Sequence, residues 1–333
     1  MRIVGLTNPL MNFYNKMQIH QEVLKAEKQI RKFIRKTPIE FSPYLSKLCN
    51  CNVYLKLESE QLTGSFKIRG AFNKLLSCKN ELNNGFITAS TGNHGKAVAY
   101  VSKMLNLKGT VYVPTKVSKT KLEAINFYGI NIKKYDGTSG ETEIHARKVA
   151  EKQEIPFVSP YNDIEIVAGQ GTVGYEIWEQ LQDINAVFVC IGGGGLISGI
   201  AGYLKHKNKN LRVFGCEPRN SCAMSVSIKA GKVIDVKHKP TLSDGSAGGI
   251  EPGSITFDFC RKYVDEYIQV SEKEIKNSMI FMIEEQHKII EGAAAVPVAS
   301  LIKKKNLFRN KNVLVVLSGS GVGIDVIREV VRK

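Results

Sequence analysis

The chain has 333 residues, 43% of them hydrophobic and 23% charged, a balance that excludes disorder and suits one large packed domain or two ordinary ones. Seven cysteines cannot close a fully paired disulfide framework, and Cys49 and Cys51 form a CxC while no CxxC occurs, so a reducing, cytoplasmic setting is expected. Forty-seven basic against thirty-one acidic residues give a formal charge of +16. The excess is mostly scattered lysine, and the densest run, Lys303 to Lys305, lacks interleaved aromatics. It reads as a solvated surface, so no nucleic-acid partner is expected. The six histidines form no HExxH or similar ligand cluster.

In chain order, residues 1–16 carry one arginine and no sustained apolar stretch; they read as an N-terminal arm rather than a signal peptide, with Met17 as an alternative start. A helix then places Val23, Ala26, Ile30, Phe33 and Ile34 on one face and ends at Thr37-Pro38. A strand over Val53 to Leu57 precedes a helix that begins near Ser65. The strand Phe86 to Ala89 leads into a helix over Asn93 to Leu105. Next come a strand at Thr110 to Val113, a helix at Ser118 to Tyr128 stopped by Gly129, a strand at Ile130 to Tyr135 and a helix at Glu141 to Lys152. A long helix is expected over Gly171 to Gln182, followed by strands at Val187 to Ile191, Leu211 to Cys216, Tyr267 to Val270 and Val313 to Leu317. Ser271 and Glu274 spell a capping box. Ala186 to Leu204 carries no charge and approaches the ~20 residues that cross a bilayer, but Gly192 to Gly195 cut it into a short strand and a helix, and no membrane partner is expected.

Strands alternating with amphipathic helices indicate a parallel α/β fold. Two lobes are expected: a large discontinuous one from residues 17–82 and 164–333, and a small βαβα one from residues 83–163.

Four places break local rules. In Ser65-Phe66-Lys67-Ile68-Arg69-Gly70-Ala71, a lysine sits in the first turn of a helix, the unfavourable end of the macrodipole for a cation. That location, with partial burial, lowers its proton affinity and suits an imine-forming amine; an exposed lysine at a helix start is the plainer alternative. Ser90-Thr91-Gly92-Asn93-His94-Gly95 joins a strand to a helix, leaving backbone N–H groups for an anion such as a carboxylate. Gly192-Gly193-Gly194-Gly195 follows a buried strand and opens a helix, which suits a phosphate. The same turn offers part of a dinucleotide fingerprint, with Glu217 near the expected ribose-binding position, but Ser198 stands where its third glycine belongs. Finally, Ser318 follows a strand whose C-terminal end opens on the crevice where α/β proteins bind ligands.

Taken jointly, these segments resemble the pyridoxal-phosphate enzymes of the tryptophan-synthase-β type (fold type II), in the serine/threonine dehydratase and serine racemase branch. The resemblance runs from about Lys25 to the C-terminus. It implies pyridoxal 5'-phosphate as cofactor, joined to Lys67 beside Phe66. It implies a phosphate cup at Gly192, Gly193, Gly194 and Gly195, with Ser318 at the pyridine nitrogen and Asn93 at the ring hydroxyl. The substrate carboxylate falls to Ser90, Thr91, Gly92, Asn93 and His94. Glu291 resembles a pocket-lining acid, and Gly245, in Ser243-Asp244-Gly245, a turn passing close to the ring.

The implied activity is that of a threonine or serine dehydratase. Lys67 removes the Cα proton, the β-hydroxyl leaves, and hydrolysis yields a 2-oxo acid and ammonia. A hydroxyl such as Ser318 leaves the pyridine nitrogen mostly unprotonated, which disfavours transamination and favours elimination. Racemases carry a serine at Thr91 and pure dehydratases often an alanine, so Thr91 is the second catalytic candidate and a racemase is one alternative. A β-replacement enzyme of the cysteine-synthase type is another, against which His94 speaks. Metal-activated relatives pair the acid matching Glu217 with a second carboxylate six residues on; here Ala223 stands there, and no metal ligand is assigned. The chain ends with the catalytic region, so no appended feedback domain is expected. Ser243 to Gly249 also resembles a subgroup linked to hydroxyectoine breakdown, leaving room for another hydroxylated amino acid. The family implies a homodimer or homotetramer.

Overall fold

A computed structural model describes residues 18–332; the arm expected over residues 1–16 lies outside the described residues. Nine strands form there: β1 (Ile39–Phe41), β2 (Asn52–Leu57), β3 (Phe86–Ala89), β4 (Gly109–Pro114), β5 (Asn131–Tyr135), β6 (Ala186–Cys190), β7 (Arg212–Pro218), β8 (Glu266–Val270) and β9 (Asn312–Leu317). Six make one sheet in the order β1-β2-β9-β6-β7-β8, and β3-β4-β5 make a second. Every pairing is parallel except β1 with β2. The central strands β6 and β9 are apolar without alternation because helices cover both faces of a parallel sheet.

This order positions the site. β2, β9 and β6 are neighbours, and Leu57 at the end of β2 stands level with Leu317 at the end of β9. The segments carrying Lys67, Ser318 and the four glycines therefore leave the same edge of the sheet side by side. Each follows the C-terminal end of a parallel strand, where open α/β sheets form their crevice.

Most expected elements form within a residue or two of their predicted bounds, including the capping box, where Ser271 N–H donates to Glu274 Oε2 at 2.7 Å. Three differ. The first helix, Ile19–Ile30, stops short of Thr37-Pro38. Beyond it the N–H groups of Arg35 and Thr37 turn to side-chain acceptors, Gln61 Oε1 and Glu176 Oε2, instead of helix carbonyls. The long helix starts earlier, at Ile164, because Asp163 Oδ1 accepts from the N–H groups of Glu165 and Ile166. Its glycines, which blur the apolar period, exist for close packing: a Cβ on Gly169 would lie 2.6 Å from Gly70 Cα, and one on Gly171 would lie 3.1 Å from Gly199 O. Short helices at Pro43–Cys49, Ala223–Ala230 and Ile255–Tyr263, with strand β1, carry too few residues to show a period. Lys303 and Lys304 pair with Glu274 and Glu266, an ordinary solvated surface.

One buried ion cluster locks the elements together. The Arg69 guanidinium donates to Glu58 through Nε (2.7 Å) and Nη2 (2.8 Å), and to Glu176 through Nη1 (2.8 Å) and Nη2 (2.9 Å). Lys56 Nζ donates to Glu176 Oε2 at 2.6 Å and to Thr37 O at 2.7 Å. All four charged side chains are buried, and two cations balance two carboxylates. Burial alone would raise the Glu176 carboxyl, but Arg69 and Lys56 outweigh it and hold it at about 2 against an ordinary 4.5.

Arg69→Met should strand the buried Glu58 carboxylate and leave Glu176 two bonds short, lowering stability by about 3–5 kcal/mol, read from the midpoint of urea unfolding. Because the Glu176 value is depressed, its contribution should be complete above pH 4.5 and be lost as the pH falls through 2. Acid-unfolding curves of wild type and Glu176→Gln should converge in that window.

Candidate active site

Lys67 is the first residue of the helix Lys67–Ser77, as expected. Its Nζ donates to Pro160 O at 2.8 Å and stands 5.1 Å from the centre of the Phe66 ring. Burial pulls the amine down to about 8, partly opposed by the carboxylates of Glu143 and Glu291. Desolvation is thus the leading cause.

The segment before Lys67 is stitched to the one after β9. Ser65 bridges Gly319, Phe66 N–H donates to Ser318 O at 3.2 Å, and Ser320 N–H donates to Gly64 O at 2.9 Å. Ser318, buried except toward the cleft, is therefore held close to the lysine segment.

The four glycines follow β6, and Gly194 takes φ +85°, a conformation that L side chains rarely adopt. A Cβ on Gly192 would lie 2.9 Å from Ser246 O, one on Gly193 would strike the Tyr161 ring, and one on Gly194 would lie 2.8 Å from Met224 Cε. The helix that starts here, Gly195–Lys207, has no side-chain cap, so its first N–H groups are open to an anion.

The Ser90–His94 turn connects β3 to the helix Asn93–Leu105. Gly92 N–H donates to Ser90 Oγ at 3.2 Å. His94 sits beneath the turn, its Nε2 3.1 Å from Thr88 Oγ1 and 3.2 Å from Val158 O. A carbonyl only accepts, so Nε2 carries the proton. Burial first, and then Lys67, push this imidazole down to about 3, so it is neutral. Its side chain supports the turn, leaving backbone N–H groups to face an anion.

Asn93 Nδ2 donates to the Glu291 carboxylate at 2.8 and 3.0 Å, and Gly245 packs beside that carboxylate. Lys67, Ser90 to His94, the four glycines, Gly245, Glu291 and Ser318 all line one cleft of about 1650 Å³ between the two sheets. Every predicted site residue is brought together there.

Sequence reasoning missed several residues of the wall. Tyr161 backs Gly193, and its hydroxyl accepts from Glu251 N–H at 2.9 Å. Arg147 Nη2 donates to Glu143 at 2.9 Å and Glu251 at 3.0 Å, and Lys121 meets Asp244 at 2.6 Å across the cleft. These belong to no local motif; only proximity in space reveals them. Glu217 is otherwise engaged: its carboxylate accepts from the N–H groups of Met224 and Ser225, both at 3.0 Å, and caps the helix Ala223–Ala230. Burial raises it to about 7.

The donor set fits a phosphorylated pyridine aldehyde. A turn with no room for side chains presents open N–H groups, a desolvated amine stands ready for the aldehyde, and a hydroxyl faces the cleft between them. The comparisons with known proteins agree. The family described as pyridoxal-phosphate dependent enzyme matches residues 30–319. The L-threonine ammonia-lyase of Thermotoga maritima is 35% identical over 314 residues, 94% of this chain and 78% of that one. The catabolic L-threonine dehydratase of Escherichia coli K12 is 35% identical over 312 residues, 93% of this chain and 94% of that one. The structure of maize serine racemase superposes with a TM-score of 0.88 at 28% identity, over 93% of this chain and 95% of that one. With its glycine turn, buried lysine and strand-end serine in one cleft, this chain belongs to the pyridoxal-phosphate dependent enzyme family.

Proposed function

We propose that this protein is an ammonia-lyase that eliminates the β-hydroxyl of threonine or serine, giving a 2-oxo acid and ammonia. The observation that carries the reading is a buried amine at about 8 held beside a serine, rather than an acid, at the end of β9. Two threonine-deaminating relatives at 35% identity support the substrate class.

When bound, the cofactor would supply the electron sink for chemistry at Cα. The N–H groups of Gly192 to Gly195 would hold its phosphate, with Tyr161 as the back wall. Asn93 would donate to the ring hydroxyl oxygen, and Gly245 and Phe66 would line the ring. Ser318 would offer a hydroxyl to the ring nitrogen, a partner that holds no full positive charge there and so favours elimination over transamination. The backbone of Ser90 to His94 fixes the substrate carboxylate. Lys67 Nζ, its proton affinity lowered by burial to about 8, takes the Cα proton. Thr91 keeps a hydroxyl on the cleft wall. A share of racemisation is therefore the second reading, supported by the likeness to a serine racemase.

Residues 83–163 are assigned to the small lobe and residues 17–82 with 164–333 to the large one. A homodimer or homotetramer is the expected assembly. Seven cysteines, unpaired among the described residues, support a cytoplasmic setting. Among those residues no helix is long and apolar enough to cross a membrane.

Purified holoprotein should release 2-oxo acid from L-threonine or L-serine, and borohydride reduction should fix the cofactor on Lys67. Lys67→Ala should lower turnover by about 10²–10⁴-fold; a label on another lysine, or no 2-oxo acid from any 3-hydroxy amino acid, would overturn the reading. D-serine formation that exceeds elimination would favour the racemase.

The rate at which cofactor-free protein captures pyridoxal phosphate should rise as the pH passes through about 8 and level above it, because only the neutral amine attacks. Gly193→Val should weaken cofactor binding by about tenfold or more, the cost of 1–3 kcal/mol for overpacking against Tyr161, measured by fluorescence titration.

A further inference from the structure

Glu291 immediately precedes the helix Gly292–Lys303, yet its side chain does not cap that helix. The carboxylate reaches across the cleft floor instead. Oε1 and Oε2 accept from Asn93 Nδ2 at 3.0 and 2.8 Å, and Oε2 also accepts from Gly321 N–H at 3.0 Å. Glycine backbone lies close against it on the protein side. A Cβ on Gly319 would lie 2.7 Å from Oε1, one on Gly321 would lie 3.0 Å from Oε2, and one on Gly245 would lie 3.5 Å from Oε1. Glu291 N–H donates to Gly319 O at 3.2 Å, so the acid is tied by backbone and side chain to the segment that begins at Ser318.

A carboxylate that is 5% exposed is costly to keep for packing alone, since an apolar side chain would fill the same space more cheaply. What it provides is direction. An ionised carboxylate only accepts hydrogen bonds, whereas an asparagine amide has a donating and an accepting end of nearly equal shape. Facing Glu291, Asn93 must present its nitrogen. That nitrogen bears two hydrogens, and the one not taken by Glu291 is left for a ligand.

We propose that Glu291 is a positioning residue that locks the Asn93 amide with a nitrogen-borne hydrogen directed at the ring hydroxyl oxygen of the bound cofactor. The lock favours the deprotonated form of that oxygen. A glutamine at position 291 both donates and accepts, so it frees Asn93 to turn over and offer Oδ1, which favours the protonated hydroxyl. The proposal rests on the reading that Asn93 faces this oxygen.

The ratio of near-ultraviolet to visible absorbance of the holoprotein, taken without substrate, reports the protonation of the ring hydroxyl. Glu291→Gln should raise that ratio about fivefold, the shift expected from one ordinary hydrogen bond. Asn93→Ala should raise it similarly, and the double variant should add nothing further. Glu291→Asp, which keeps an acceptor-only group, should restore most of the wild-type ratio. A wild-type ratio in Glu291→Gln beside a raised one in Asn93→Ala would overturn the lock while leaving the Asn93 reading intact. An unchanged ratio in Asn93→Ala would overturn that reading and the lock together. Equal rises in Glu291→Gln and Glu291→Asp would mean that packing, not direction, is at work.

Discussion

The clasp of Arg69 between Glu58 and Glu176 underlies the rest of the structure. Glu58 follows β2, Arg69 lies two residues beyond Lys67, and Glu176 belongs to the long helix Ile164–Gln180. Four short charge-assisted bonds fix a planar guanidinium against two carboxylates from different elements, a geometry that a lysine could not reproduce. The start of the lysine helix is thereby located relative to both the sheet and the helix behind it. Remove the clasp, and nothing covalent sets the distance from the Lys67 amine to the glycine turn.

Around that anchor, the cleft follows from strand order. Parallel neighbours end at the same edge, so segments distant in sequence emerge adjacent: the lysine after β2, the serine after β9 and the glycines after β6. The Ser90–His94 turn comes from the second sheet and closes the cleft from the other side. Lys121 with Asp244 and Arg147 with Glu251 tie the two sides together at its rim. The two sheets thus contribute complementary walls of one cleft.

Electrostatics inside the cleft are arranged by burial more than by pairing. Desolvation lowers the Lys67 amine and keeps His94 neutral, while the rise it gives Glu291 is opposed by the Asn93 and Gly321 donors and by Lys67, which hold that carboxylate as an acceptor. Lys67 therefore gives up its proton more readily than an exposed lysine, which suits the nucleophile and base proposed for it. Glu217, with Ala223 six residues on, serves here as a helix cap.

The motifs and strand bounds were readable in the sequence because they are local: a buried strand is a short apolar run, and a glycine turn or a capping box is a few adjacent letters. From these came the parallel α/β class, and from their joint resemblance to a known family came the expectation of an imine lysine, a phosphate turn and a strand-end serine. Three-dimensional proximity decided the remainder. The direction of the Asn93 amide depends on Glu291, Tyr161 matters because it backs Gly193, and Arg69 matters because of a carboxylate on another helix. The early start of the long helix was hidden for a related reason, since its glycines answer to neighbouring backbones rather than to their own turn. Local propensity and pattern act within a few residues. Desolvation, ion pairing and close backbone approach depend on what the folded chain brings alongside, and no window of sequence contains that.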